Sequence, residues 1–252
     1  MVDSSAESLL AVDRVSCWFG GLKAVDGASL TAAPDRITAL IGPNGAGKTT
    51  LFSIISGFVR AREGAIRYAG QEITGKPPHE LARLGIARTF QIVQPFVGLS
   101  VRENILVGAH LHHRARNAAL AVADQVGHDL GLTDLLDRPA DTLTVAARKR
   151  LELARALATE PKLLLLDEVL AGLNPTEIRD IVPVIRGLCR RGITILMIEH
   201  VMQAVMSLAE RVFVLAEGRV IAQGAPAQIA QDPLVVEAYL GHGAAAKWGA
   251  PA

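Results

Sequence analysis

The sequence predicts a two-lobed α/β fold, in which a mixed core sheet carries an antiparallel β layer and an inserted helical lobe. Half of the 252 residues are hydrophobic but only 4% are aromatic, a usage typical of buried parallel strands covered by helices. Strand-length apolar runs alternate with helical periodicity after residue 160, whereas residues 100–158 show helical periodicity with few strand signals. A chain of this length can bury the core of one large domain.

The N-terminal part of the chain contains the expected antiparallel layer and the start of the core sheet. Short alternations of apolar and polar residues over 10–19 and 28–33 predict antiparallel strands. The next elements are an apolar core strand that runs into a glycine-rich turn, a helix that Gly57 stops, a hairpin and a further strand. They are expected over 36–41, 47–56, 64–73 and 86–90.

The C-terminal part is expected to alternate strands and helices, after a last helix of the inserted lobe that ends before Pro161. The helices are expected over 146–158, 177–189 and 201–208, and the strands over 163–166, 193–198, 212–215 and 220–223. These elements predict one domain over 8–242, with its core lobe at 8–91 and 161–242, its helical lobe at 92–160, and a flexible tail at 243–252.

Charge, cysteine content and hydropathy exclude several classes of protein. The 26 basic and 25 acidic residues give a net charge of +1. The chain therefore does not have the excess of basic residues that is typical of nucleic-acid-binding proteins. Cys17 and Cys189 lie far apart in the sequence, so two reduced thiols are expected rather than a disulfide or a metal site. No apolar run approaches the roughly 18 residues that cross a bilayer, and the N-terminus lacks the features of a signal peptide. We therefore expect a soluble chain whose role at a membrane depends on a partner.

Residues 42–49 have the sequence Gly-Pro-Asn-Gly-Ala-Gly-Lys-Thr, which matches a phosphate-binding loop between a strand and a helix. Glycines allow backbone N–H groups to surround phosphate oxygens, and the helix N-terminus adds its positive end. Lys48 is expected to contact the β- and γ-phosphates of ATP, and the Thr49 hydroxyl to bind Mg²⁺. The expected nucleotide-binding residues of this loop are Gly42, Pro43, Asn44, Gly45, Ala46, Gly47, Lys48, Thr49 and Thr50.

Asp167 and Glu168 follow four consecutive leucines that predict a strand buried on both faces. At the end of such a strand the first acid can hold Mg²⁺, and the second can polarise an attacking water. Taken alone, the pair could also be a helix cap and an exposed acid. Gln91 and His200 follow two other predicted strands, and ligands of open α/β sheets bind at the carboxyl ends of strands. The sequence therefore predicts that these groups converge on the phosphate loop.

These motifs, in this order and spacing, resemble those of the ATP-binding cassettes of ABC transporters. Over residues 8–242 the chain is most similar to the ATPase subunits of branched-chain amino acid importers. The similarity lies in the runs Phe-Gly-Gly-Leu-Lys-Ala-Val, Arg-Thr-Phe-Gln, Ala-Gly-Leu-Asn-Pro, Ile-Glu-His and Ala-Tyr-Leu-Gly, at residues 19–25, 88–91, 171–175, 198–200 and 238–241.

The resemblance implies a P-loop ABC ATPase cassette with a mixed core sheet, an antiparallel β layer and an inserted helical lobe. It implies that Gln91 binds Mg²⁺, senses the γ-phosphate and contacts the transport channel. Glu168 would be the general base, His200 would hold the γ-phosphate, and Phe19 would stack on adenine. The implied partners are a second ABC ATPase, transmembrane permease subunits and, indirectly, an extracytoplasmic solute-binding protein. The chain would then lie at the cytoplasmic face of the membrane, bound to the permease.

The segment that should complete a partner's ATP site departs from the family pattern. ABC cassettes contribute an LSGGQ-like signature to the other subunit's nucleotide, but residues 143–147 read Leu-Thr-Val-Ala-Ala. Thr144 keeps a hydroxyl that can act across the dimer, whereas the methyl group of Ala146 stands where bare backbone should approach phosphate. We expect the site that uses this segment to turn over slowly or mainly to bind ATP, unless the backbone geometry tolerates these residues. Asn174 and Val169 also replace the usual aspartate and proline.

The sequence thus predicts an ATP-hydrolysing subunit that powers an ABC transporter, with branched-chain or other hydrophobic amino acids as the expected substrates. A nucleotide-binding regulatory or scaffold module with little turnover is the alternative that the weak signature favours. A transporter of urea or short amides, or a lipid exporter, also fits the motifs. A soluble ABC protein of DNA repair or translation is a further alternative that we do not expect. Only 118 residues separate Lys48 from Asp167, which leaves no room for a long coiled-coil insertion, and the neutral net charge is a further argument against it.

Overall fold

The computed structural model describes residues 8–91 and 94–240, which contain two sheets, nine α-helices and two short 3₁₀ helices. The strands are β1 (Leu10–Phe19), β2 (Leu22–Ala32), β3 (Ile37–Ile41), β4 (Glu63–Tyr68), β5 (Gln71–Glu72), β6 (Ile86–Arg88), β7 (Leu163–Asp167), β8 (Thr194–Ile198), β9 (Arg211–Ala216) and β10 (Arg219–Gly224). The helices are α1 (Lys48–Ile55), α2 (Pro78–Arg83), α3 (Val101–Ala109), α4 (Arg116–Asp129), α5 (Val145–Leu157), α6 (Pro175–Arg190), α7 (Met202–Leu208), α8 (Pro226–Ile229) and α9 (Pro233–Leu240).

The larger sheet has six strands in the order β10-β9-β3-β8-β7-β6. Its five strands from β9 to β6 pair in parallel, and β10 pairs antiparallel with β9. The smaller sheet, in the order β2-β1-β4-β5, is antiparallel throughout. The predicted α/β class with a mixed core sheet and an antiparallel layer is therefore confirmed.

Both faces of the core sheet are covered, which explains why its strands are continuous apolar runs. All five residues of β7 are buried. Leu164 and Leu166 pack into the hydrophobic cluster formed with α3, α5 and α6. Leu163 and Leu165 pack on the other side, with α1 and the antiparallel sheet. Because successive side chains of a strand point to opposite faces, a strand buried on both sides must be apolar at every position.

Helices α3, α4 and α5 lie between β6 and β7 in the chain and pack on one another. Asn104 of α3 is fully buried, and its side chain bonds the backbone of the segment that leads into the helix. Its Oδ1 accepts from Phe96 N at 2.8 Å, and its Nδ2 donates to Ser100 O at 2.9 Å. The helical character predicted for 100–158 is thus observed, while the division into lobes at 92 and 160 stays a prediction.

Several boundaries differ from the predicted ones. Strand β2 begins at Leu22 rather than at residue 28, because the turn at Gly20, with φ +58°, pairs Leu22 directly with Phe19. Helix α6 begins at Pro175 rather than at 177, since Asn174 forms a capping box with Glu177. Helices α2, α8 and α9 were not predicted.

No helix in the described ranges combines the length and apolar character needed to cross a membrane. Cys17 and Cys189 are both buried free thiols. The tail predicted at 243–252 lies outside the described residues.

Candidate functional site

The carboxyl edge of the core sheet carries the residues that the sequence singled out. Strands β3, β6, β7 and β8 are parallel neighbours, so the loops that follow them lie at one edge. These loops carry the phosphate loop after β3, Gln91 after β6, Asp167 and Glu168 at the end of β7, and His200 after β8. The predicted convergence is observed as direct contacts among several of these side chains.

The phosphate loop passes so close to its neighbours that two of its glycines cannot be replaced without movement. A Cβ atom added to Gly42, which has φ +151°, would lie 2.0 Å from the carbonyl oxygen of Leu215. A Cβ atom added to Gly47, with φ +100°, would lie 2.1 Å from that of Ala24. Gly47 occupies the N-cap of α1 in a left-handed conformation. The loop is thus wedged between two strands, with the N–H groups of the first turn of α1 at its end.

Lys48 is 5% exposed and folds over its own loop. Its Nζ donates to Gly42 O at 2.7 Å and to Pro43 O at 2.8 Å. Burial lowers the pKa of the Lys48 ammonium, and the nearby carboxylates Glu168 and Asp167 oppose that shift. An ammonium held by neutral carbonyl oxygens can exchange them for phosphate oxygens, which are stronger acceptors because they carry charge.

The other residues of the phosphate loop lie in the first turn of α1 or line a cavity beside the loop. Thr49 is exposed and Thr50 is half-buried in the first turn of α1. A cavity separates the outer side of the loop from the β9–β10 turn and α9, and its lining includes four predicted nucleotide-binding residues, Pro43, Asn44, Gly45 and Ala46.

Asp167 is paired with an arginine that the sequence analysis did not assign to the site. Its Oδ2 accepts from Arg88 Nη2 at 2.7 Å, and the two side chains are 1% and 6% exposed. The other carboxylate oxygen, Oδ1, is buried and accepts no hydrogen bond from the described residues. A buried acceptor without a partner is costly, so Oδ1 is set to receive a cation or a bound water.

The three residues predicted to bind Mg²⁺ share one cavity. Thr49, Gln91 and Asp167 all line the cleft between α1, the end of β6 and α5. They offer a hydroxyl, an amide oxygen and a carboxylate, which are the oxygen ligands that Mg²⁺ prefers. Together with the free Oδ1 of Asp167, this donor set fits the ion.

Glu168 lies between Gln91 and His200. Its Oε2 accepts from Gln91 Nε2 at 2.7 Å, and its Oε1 is 2.5 Å from His200 Nε2. With Glu168 in its carboxylate form, which only accepts, Nε2 is the ring nitrogen that donates in this contact. Glu168 has φ +50°, a conformation that costs energy for a residue with a side chain. The predicted base, switch histidine and glutamine therefore form one connected group.

Lys149 of α5 joins this group from the helical side. Its buried ammonium donates to Glu168 O at 3.1 Å and to Gln91 O at 3.4 Å. Glu152, one turn further along α5, accepts from Phe90 N at 3.3 Å. Helix α5 thus holds the backbone on both sides of the contact between Gln91 and Glu168.

Glu199 is a buried carboxyl group beside His200, and the sequence analysis gave it no role. It is 1% exposed, and its Oε1 accepts from Leu170 N at 3.0 Å. Burial raises the pKa of Glu199 to about 7, against the bonds from the Leu170 and His200 amides and with a contribution from nearby Glu168. It ties the end of β8 to the loop that follows Glu168.

We expect Glu199→Gln to flatten the pH dependence of stability between about pH 4.5 and 7. The carboxyl group ionises near 4.5 when unfolded and near 7 when folded, so the unfolded state releases its proton first as the pH rises. The wild-type free energy of unfolding therefore falls across this window, by about 1.4 kcal/mol for each unit of pKa difference. Urea unfolding at pH 5 and pH 8 measures the free energy of unfolding of both proteins. An equal change between the two pH values in wild type and variant would contradict the prediction.

Phe19 and Thr144 lie on other elements. Phe19 ends β1 and is 53% exposed, an exposure compatible with stacking on a base. Thr144 is exposed and caps α5, where its hydroxyl oxygen accepts from Ala147 N at 3.3 Å. The structure therefore leaves the predicted roles of both residues as predictions.

Arg88, Lys149 and Glu199 are the residues of this site that sequence reasoning missed. Arg88 and Glu199 stand in runs that carried the family resemblance, Arg-Thr-Phe-Gln and Ile-Glu-His. A charged residue at the end of an apolar strand, beside a predicted site residue, was the available signal. Lys149 lies in the basic run at 148–150, whose pattern is most simply explained as surface charge and is also compatible with a run that faces nucleotide or a partner.

The chain is similar in sequence and in fold to known ATP-binding cassettes. Residues 25–171 match the ABC transporter family model, and residues 219–245 match that of the branched-chain amino acid ATP-binding cassette transporter. The chain is 39% identical to the high-affinity branched-chain amino acid transport ATP-binding protein BraF of Pseudomonas aeruginosa, over 92% of this chain and 98% of the relative. It is 39% identical to the corresponding protein LivG of Escherichia coli K12, over 94% and 99%.

Two similar crystal structures are ATP-binding cassettes of ABC transporters. A nucleotide-free cassette superposes with a TM-score of 0.86 at 34% identity, covering 93% of this chain and 100% of the other. A cassette in its ADP conformation superposes with a TM-score of 0.84 at 34% identity, covering 93% and 99%.

Proposed function

This chain belongs to the ABC transporter family, in which it is an ATP-binding and ATP-hydrolysing subunit, and we propose that its transporter imports branched-chain or other hydrophobic amino acids. The observation that carries the substrate class is the 39% identity to BraF and LivG over nearly the whole of both chains. The match of residues 219–245 to the branched-chain amino acid cassette family supports the same substrate class.

Hydrolysis would use the connected group at the edge of the core sheet. Glu168 would take the proton of the attacking water. Its contacts with Gln91 and His200 orient the carboxylate for this role. His200 and Lys48 would donate hydrogen bonds to the γ-phosphate. Thr49, Gln91 and Asp167 would hold Mg²⁺, which neutralises phosphate charge when bound. Phe19 would stack on the adenine ring.

An exposed apolar groove supports the proposal of a permease partner. It lies between α2 and β6 on one side and α3 and α5 on the other, and includes Phe58, Phe90, Phe96 and Val107. These four side chains are 42–55% exposed. Exposed apolar clusters usually mark binding surfaces. We propose that a permease segment with an apolar face binds here and holds the chain at the cytoplasmic face of the membrane.

A second ATPase subunit is the other partner that we propose. The nucleotide site would be completed by the signature of that subunit, and Thr144 of this chain would act in the partner's site. Because residues 143–147 lack the family's glycines, the two sites would differ, which favours a heterodimer with a related ATPase. A solute-binding protein on the other side of the membrane would deliver the substrate.

The test is ATP-dependent uptake by the assembled transporter in proteoliposomes. This chain, its permease and the second ATPase, with the solute-binding protein supplied on the other side of the membrane, are expected to accumulate radiolabelled leucine, isoleucine or valine, with ATP hydrolysis faster than that of the chain alone. Urea, short amides and a lipid are tested in parallel as the alternative substrates. Uptake of urea alone would contradict the substrate class. Tight ATP binding without turnover in any combination would favour a regulatory scaffold instead.

A further inference from the structure

Arg88 is a buried arginine whose guanidinium donates hydrogen bonds to three side chains at the edge of the phosphate site. Its side chain is 6% exposed. Its Nη2 donates to Asp167 Oδ2 at 2.7 Å, and its Nη1 donates to Ser53 Oγ at 3.0 Å and to Ser56 Oγ at 3.1 Å. One guanidinium therefore joins the end of β7 to α1, the helix that follows the phosphate loop.

The two serine hydroxyls are oriented to receive these bonds. Ser53 Oγ donates to Thr49 O at 2.7 Å, and Ser56 Oγ donates to Phe52 O at 2.6 Å. With their protons used in this way, both oxygens present lone pairs to Arg88. Through Ser53, Arg88 is also connected to the backbone of Thr49, so it is linked to two of the three residues proposed to bind Mg²⁺.

The contact with Asp167 is made by one oxygen only. Oδ2 is held by Arg88, while Oδ1 and Arg88 Nε are buried and have no hydrogen-bond partner among the described residues. A bidentate pair would occupy both carboxylate oxygens. The single contact instead fixes the orientation of the carboxylate and leaves Oδ1 without a partner, in a residue that lines the same cavity as Thr49 and Gln91.

The guanidinium is also packed against aromatic rings. Its central carbon lies 5.4 Å from the ring centroid of Phe90 and 5.9 Å from that of Phe52. Phe52 is fully buried, whereas Phe90 is 42% exposed and lines the apolar groove. Arg88 therefore lies between the groove and the carboxylate of Asp167, with direct contacts to both.

We propose that Arg88 is a positioning residue, which holds Asp167 in the orientation that binds Mg²⁺ and connects this orientation to the packing of Phe90 in the groove. Without Arg88 the buried Oδ2 loses its donor, and the carboxylate must turn or lose its charge to recover one. Partners that orient a metal ligand in this way typically account for about 10–100-fold in metal affinity or activity. The proposal rests on the metal-binding role proposed for Asp167.

The test is the Mg²⁺ dependence of nucleotide binding to the full chain, with a fluorescent non-hydrolysable ATP analogue. In Arg88→Met the Mg²⁺ concentration for half-maximal binding is expected to rise about tenfold, while binding in EDTA stays unchanged. Arg88→Lys keeps a charge but cannot reach all three partners, so a smaller rise is expected. Phe90→Leu is expected to shift the midpoint in the same direction, because it removes the ring that supports Arg88.

The matched control is Arg102→Met. Arg102 of α3 pairs with two carboxylates, those of Asp124 and Asp137, and lines neither of the two cavities. Its midpoint should match wild type. An unchanged or lower midpoint in both Arg88 variants would overturn the proposal, and Arg88→Lys decides the question if Arg88→Met does not fold. Mg²⁺-independent binding by the wild type would instead overturn the metal role of Asp167.

Discussion

Replacement of Glu168 by glutamine is expected to lower ATP hydrolysis at this chain's phosphate loop by about 10²–10⁴-fold, the range that general base catalysis contributes. An amide cannot accept the proton of the attacking water. It also offers one acceptor oxygen where Glu168 offers two, so Gln91 and His200 can no longer each bond a separate oxygen. Steady-state hydrolysis is measured in the assembled complex, with the equivalent acid of the second ATPase also changed, so that only this site turns over.

Glu160→Gln is the matched control for this variant. Glu160 precedes β7, as Glu168 follows it, and both residues have φ +50°. Glu160 is also paired with a histidine, since its Oε1 is 2.7 Å from His113 Nε2. The control therefore removes the same charge from the same kind of backbone and the same kind of pair, and it should hydrolyse ATP at the wild-type rate.

ATP binding separates a catalytic effect from a folding defect. Glu168→Gln is expected to bind the nucleotide at least as tightly as wild type, because it removes a negative charge from beside the phosphates. Hydrolysis within a few-fold of wild type, with the second site silenced, would show that another group is the base. If Glu168→Gln loses both ATP binding and hydrolysis, the variant has a folding defect and the result does not identify the base.

The edge of the core sheet was predictable from the sequence because it depends on local rules. An apolar run such as 163–166 predicts a doubly buried strand, and parallel strands bring their carboxyl ends together. The contacts among Gln91, Glu168 and His200 follow from that placement. The hairpin turn at Gly20 and Gly21 was missed, because the segment from Leu22 alternates weakly and is held by its pairing with β1.

The partners of the buried charges could not be predicted. The contact between Arg88 and Asp167 joins residues 79 positions apart, and the bond from the Leu170 amide to Glu199 comes from a loop that precedes it by 29 positions. Neither leaves a local signal, since a charged residue at a strand end is equally compatible with solvent. Desolvation decides these positions, because a buried carboxyl group must find a donor or be neutral.

Restoring the signature is expected to raise turnover at the opposite site, formed by the partner's phosphate loop and this chain's Thr144 to Ala147 segment. Ala146→Gly removes a methyl group from the position where phosphate approaches, and Ala147→Gln adds a donor. Removing one such donor in other enzymes costs about 10²–10³-fold, so the double variant should gain about tenfold or more. In a Glu168→Gln background the remaining hydrolysis reports on this site.

The structure shows what these substitutions must not disturb. The Thr144 hydroxyl oxygen caps α5 by accepting from the backbone amide of Ala147. This bond is retained in the double variant because the replaced side chains, at positions 146 and 147, take no part in it. A glycine costs up to about 1 kcal/mol relative to alanine in a helix. Ala118→Gly, at an exposed position in the first turn of α4, controls for that loss. Unchanged turnover with the double variant would mean that the backbone of residues 143–147 already serves the partner's site, and that both sites hydrolyse ATP without the family's glycines.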